Sequence, residues 1–126
     1  MTKRIAKRGD TIQGTCLHLC HAPGGGPPAP TTLPFHASIH ARLSPTVFAD
    51  GQAVALLASA GENAPRHAPP PVLGRQEVGT ILLVANRTVL VNGGPVGADG
   101  DAAMTCDEKG APGRVVAGAC TVLVGS

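Results

Sequence analysis

Residues 88–93 read TVLVNG, a β-branched run that ends on Asn-Gly. Such side chains suit an extended, pleated backbone, and Asn-Gly lets both central residues of a tight hairpin take positive φ at little cost. The phrase therefore predicts a short strand that reverses at once. It recurs as TVFADG at 46–51 and as TVLVG at 121–125. Working outward, Ile39 and Ile81 stand seven positions before the first two threonines, and Val115 stands six before the third. Asp101 lies thirteen positions after Thr88, and Ser59 lies thirteen after Thr46. Ile5 precedes Asp10 by five, as Val96 precedes Asp101. The phasing gives two whole units, approximately 39–64 and 81–106, and a third split between 113–125 and 5–16. Self-similarity of this kind marks one supersecondary unit used repeatedly.

Three such units in 126 residues predict one all-β domain, a small cone of short β-hairpins with pseudo-threefold internal repeats. Seventeen glycines and twelve prolines argue against long helices. Loops are expected at 22–34, 61–74 and 107–113, gathered at one end of the axis. There is no Trp or Tyr, and Phe35 and Phe48 are the only aromatic residues of the Phe/Trp/Tyr class. A core of Val, Leu, Ile and Ala buries less area per residue, and small cores commonly need a staple. Ten Lys+Arg against eight Asp+Glu give a net charge of +2, which makes no case for nucleic acid. Lys3, Arg4, Lys7 and Arg8 read as a solvated tail. No stretch reaches the roughly 20 apolar residues of a membrane span, and no apolar segment follows the basic N-terminus. Synthesis in the cytosol, with the four cysteines reduced or bound to metal, is the expectation.

TCLHLCH at 15–21 holds two cysteines and two histidines. His18 lies eight residues after Asp10, and His67 lies eight after Ser59, the equivalent position. Cys106 lies five after Asp101 in the third unit. One ligand from each loop would converge on the axis, and zinc needs about four in a tetrahedron. Among His21, His36, His40, Cys16 and Cys20, His36 is the preferred fourth because it closes the first long loop. The expected set is thus His18, His36, His67 and Cys106 around one structural zinc. A local site of Cys16, His18, Cys20 and His21 would crowd four ligands into six residues. Cys120, and also Cys16 and Cys20, fit equally the role of small packed side chains.

The sequence resembles the PAAR-repeat family, which caps the spike of contractile injection machines. The likeness rests on RGD at 8–10, SPTVFADGQAVALLAS at 44–59, RTVLVNGGPVGADGDAAMTC at 87–106 and GACTVLVG at 118–125, and so covers nearly the whole chain. The order of DTIQGTC, NAPRHAPP and DAAMTCDE resembles the branch found in extracellular phage-tail-like particles, which are related to type VI secretion systems. The resemblance implies a cone whose broad base sits on a trimeric β-helical spike. It also implies a zinc at the apex held by histidines and a cysteine, places that His18, His67 and Cys106 match. The branch carries a histidine just before the phenylalanine, whereas here Leu33-Pro34-Phe35-His36 puts it after. Ala58-Ser59 also stands where the family has Gly-Asp, and two units lack the proline-alanine-alanine-arginine signature.

The implied role is structural: a tip that sharpens the spike for membrane puncture, assembled in the cytoplasm and released or delivered with the particle. Any effector cargo is expected to bind non-covalently. A zinc-stapled module for another trimeric partner is the alternative. A small zinc hydrolase would need an open ligand position and a base, and Glu62, Glu77 and Glu108 stand in no such motif. Asp10 and Asp101 read better as turn residues than as an acid–base pair.

Overall fold

The computed structural model describes residues 2–21, 24–66, 77–83, 89–106 and 108–125. The chain is all-β, with no helix among the described residues. Six strands form the main sheet: β2 (Thr11–Cys20), β3 (Ala29–Ser38), β6 (Ala60–Glu62), β7 (Val78–Leu83), β10 (Ala102–Thr105) and β11 (Glu108–Val116). Their order is β3-β2-β11-β10-β7-β6, every neighbour antiparallel. The sheet curls until its edges meet. Ala37 and Asn63 form a bridge, and the Ala64 N–H donates to the His36 carbonyl at 2.9 Å.

Three short two-stranded ladders stand apart from this sheet. They are β4 (Phe48–Ala49) with β5 (Gln52–Ala53), β8 (Leu90–Val91) with β9 (Gly94–Pro95), and β1 (Thr2–Arg4) with β12 (Leu123–Gly125). In the first two the turn residues have positive φ: Asp50 +50° and Gly51 +80°, Asn92 +52° and Gly93 +81°. This is the hairpin geometry that Asp-Gly and Asn-Gly favour. In the third ladder Thr2 faces Gly125.

Between the ladders and the curled sheet, one backbone pattern recurs three times. The Ala6 N–H donates to Gly97 O (2.9 Å), Gly97 to Ala55 O (2.8 Å), and Ala55 back to Ala6 O (2.9 Å), closing a ring. Each segment then enters the same turn. The side chains of Asp10, Ser59 and Asp101 accept from the N–H of Lys7 (3.0 Å), Leu56 (2.8 Å) and Ala98 (2.8 Å) respectively. Gly9, Ala58 and Gly100 all have positive φ there, and their N–H groups reach the carbonyls of Ile39, Ile81 and Val115. Alternation along these extended segments divides the apolar interior in two. Ile5, Val54 and Val96 join Ala49, Val91 and Val124 on one side. Ala6 and Ala55 join Ile12, Phe35, Ile39, Ile81, Val115, Cys16 and Cys106 on the other. Gly97 belongs there too: an added Cβ would lie 3.1 Å from Ile81 Cδ1 and 3.6 Å from Ala6 Cβ.

Three expectations from composition are corrected. The basic N-terminus is not a frayed tail: β1 is paired, and Lys7 is buried with its Nζ 3.1 Å from Asp10 Oδ1. The supposed loop at 22–34 is strand β3 from Ala29 onward. Its prolines are tolerated because β3 is an edge at that level. The His36 N–H points away from β2 to Asn63 Oδ1 (2.9 Å), so Pro34 and Pro30, at even spacing from it, lack a donor only on the side β2 does not use. The supposed loop at 107–113 is strand β11 from Glu108 onward.

Candidate metal centre

β2 alternates strictly beyond Thr15: Cys16, His18 and Cys20 are buried, whereas Thr15, Leu17 and Leu19 are exposed. A strand places residues two apart on one face, so the row Cys-x-His-x-Cys puts all its metal-capable groups inward. Opposite this row, Cys106 follows Thr105, the last residue of β10, whose partner in β11 is Glu108. Thr105 anchors the turn to β2 by donating its hydroxyl to the Thr15 carbonyl at 2.8 Å. Cys106 itself has φ +51°, an uncommon value for a non-glycine residue and one that costs of order 1 kcal/mol.

The result is a buried group of Cys16, His18 and Cys106 whose ligand atoms all lie within 4.8 Å of one another. Two thiols and an imidazole at this separation can hold a metal ion, because one tetrahedral ion brings its donors that close. None of the four cysteines forms a disulfide.

Of the residues singled out from sequence, His18 and Cys106 are brought together. His36 is not in the group. It lies on β3 one residue beyond buried Phe35, so its side chain takes the exposed face. His67 lies outside the described residues. His21 and His40 are exposed, and Cys20 is buried on the inner face beyond His18. By spacing alone Cys16 is one of several candidate fourth ligands and equally a packing residue; the structure puts it in the group. The signal that distinguishes it is period-two spacing to His18, legible once TCLHLC is read as a strand rather than as a loop.

Asp10 and Asp101 serve the turns, as their backbone bonds show. Asp10 also accepts from Lys7 Nζ (3.1 and 3.2 Å) and from the Gly118 N–H (3.0 Å). On the far side of the hydrogen-bonded ring, Val47 and Phe48, Val89 and Leu90, and Val122 and Leu123 are exposed apolar pairs. Each pair occupies the same place in its ladder: the carbonyls of Val47, Val89 and Val122 accept from Val54, Val96 and Ile5 at 3.0, 3.3 and 3.1 Å. No known protein family, curated protein or solved structure matches the chain.

Proposed function

We propose that the chain is a structural tip, a metal-stapled cone that caps a trimeric β-helical spike of a contractile injection particle. The observation that carries this reading is the exposed apolar pair found three times, Val47/Phe48, Val89/Leu90 and Val122/Leu123, on the side remote from the metal group. A trimeric partner presents three identical surfaces, and a single chain meets them by offering three similar ones. The ring through Ala6, Ala55 and Gly97 would mark the pseudo-threefold axis shared with that partner. Covering the short ladders would also hide open β edges.

In this reading the ion is one structural zinc. Cys16, His18 and Cys106 would supply three of the about four ligands that a closed structural site requires, and the repeat position of His67 in the sequence makes it the candidate for the fourth. A rigid apex needs no catalysis to drive through a membrane, and the tip would act mechanically.

The test is capture by trimeric β-helical spike proteins of contractile particles, with native mass spectrometry of the product. One chain per trimer is expected, and F48D/L90D/L123D should abolish capture while the zinc content stays at one per chain. Capture unaffected by the triple change, or a stoichiometry of three chains per trimer, would reject the reading.

A further inference from the structure

We infer that Cys16 and Cys106 are a latent disulfide, a covalent form of the cross-link that a metal ion would supply at the same place. Their sulfurs lie within 4.8 Å of each other, one on β2 and the other in the turn after β10. A disulfide bond is about 2 Å long, so the remaining gap is within reach of a side-chain rotamer change. The two backbones are pinned side by side. Thr15 and Thr105 each precede one of the cysteines, and the buried Thr105 hydroxyl donates to the Thr15 carbonyl at 2.8 Å. Gly113 packs closely behind the same threonine, where an added Cβ would lie 2.8 Å from Thr105 Cγ2. The fold also selects this pair. Cys16 and Cys106 share one interior cluster with Ile12, Phe35 and Ile81, whereas Cys120 packs against the other, with Val91 and Val124. Cys20 stands four positions after Cys16 on the same extended strand, about 13 Å along it and too far for a bond between them.

Burial decides the oxidant. Cys16 is 1% exposed and Cys106 is fully buried, which shuts out glutathione-sized disulfides and leaves hydrogen peroxide, a molecule little larger than water. One thiol attacks a peroxide oxygen; the O–O bond breaks, water leaves, and the sulfur becomes a sulfenic acid. The second thiol attacks that sulfur; the S–O bond breaks and the S–S bond forms as a second water leaves. Two thiols have then given up two electrons and two protons, and one peroxide has become two waters. Any ion held by these sulfurs is released, because the disulfide uses the electron pairs that bound it. The link between β2 and the turn after β10 thus persists where thiols are oxidised or metal is stripped away.

This inference stands on the two sulfurs and not on the tip reading. Full-length chain, as purified and after treatment with a chelator, is exposed to hydrogen peroxide in native buffer and in denaturing guanidinium chloride. Intact mass and non-reducing peptide maps are then read. In native buffer the chelated chain should lose two hydrogens, mapped to a Cys16–Cys106 link, whereas in denaturant the links should scatter over the four cysteines. C20S/C120S, which keeps only this pair, should show the same mass change, and C106S should not. The linked, metal-free chain should melt about 10 °C or more above its reduced form, because the link closes a long chain loop. Bound metal should slow the reaction, and each link formed should free one ion. A chain that holds no metal yet forms the link would reject the metal reading and uphold this one. Sulfenic or sulfinic adducts without a link, a native link through Cys20 or Cys120, an ion retained beside the link, or the same scatter in native buffer as in denaturant would each overturn it.

Discussion

Ala58 sits at φ +75° where the two equivalent turns have Gly9 at +91° and Gly100 at +86°. A Cβ in that region costs about 1–2 kcal/mol, partly offset by the greater chain entropy that glycine loses on folding. Ala58→Gly is therefore expected to stabilise the protein by about 0.5–1 kcal/mol in denaturant unfolding, and Gly9→Ala to destabilise it by a similar amount. Lys7 and Asp10 form a pair that neither other turn has, with side chains only 10% and 7% exposed. Asp10→Ala would strand a buried ammonium and the N–H groups of Lys7 and Gly118, costing about 3–5 kcal/mol. The double change K7L/D10S copies the Leu56–Ser59 turn and should recover most of that loss. Asp50 reports on the ladders. The Thr121 hydroxyl, and then its backbone N–H, donate to the exposed carboxylate and hold its pKa below the ordinary value. A depressed folded pKa means that these bonds stabilise the protein at neutral pH and are lost as pH falls through the lowered value. Below about pH 4 the melting temperature of the wild type should drop more steeply than that of Asp50→Asn, whose side chain does not titrate.

The elements depend on how closely the curled sheet shuts. β6 passes β3 at Gly61, where an added Cβ would run into the Ser38 carbonyl oxygen and lie 3.2 Å from the Ile39 nitrogen. Backbone cannot yield as a side chain does. Gly61→Ala should therefore open the β3–β6 seam at a cost above about 3 kcal/mol. Amide exchange at Ala64, whose N–H bonds His36 across that seam, would quicken first. The seam is also tied through Asn63, which accepts from the His36 N–H and donates to Glu77 Oε1 at 2.7 Å.

For the whole molecule, the metal group joins β2 to the turn after β10, residues 90 positions apart in sequence. An ion bound only by the folded chain stabilises it by mass action, about 4 kcal/mol when free metal is about 1,000 times its dissociation constant. Removing it with a chelator should lower the melting temperature, and re-addition should restore it. Elemental mass spectrometry of Cys16→Ser, His18→Ala and Cys106→Ser is expected to show each losing the ion. His36→Ala, a change on the exposed face, should keep it.

How much of this was legible depends on whether the information is local. The hairpin turns at Asp50-Gly51 and Asn92-Gly93, the all-β class and the turn role of Asp10 and Asp101 follow from backbone preferences acting over a few residues, and the sequence alone settled them, whereas the third phrase, at 121–125, has no turn of its own and its strand pairs with β1. His18 and Cys106 were also readable, because their offsets from Asp10 and Asp101 are local. The rest was decided in three dimensions. Pro30 and Pro34 argue for a loop until their missing N–H groups are seen to face an open strand edge. Lys7 reads as solvated until Asp10 meets it in a turn. Cys16 and His36 could not be ranked as ligands by spacing alone. One-residue alternation assigns inside or outside only after the strand and its partner are known, and it put Cys16 in and His36 out. The sequence determined which pieces exist and how each one turns. Only the closure of the sheet, which depends on contacts between residues far apart along the chain, determined which faces meet.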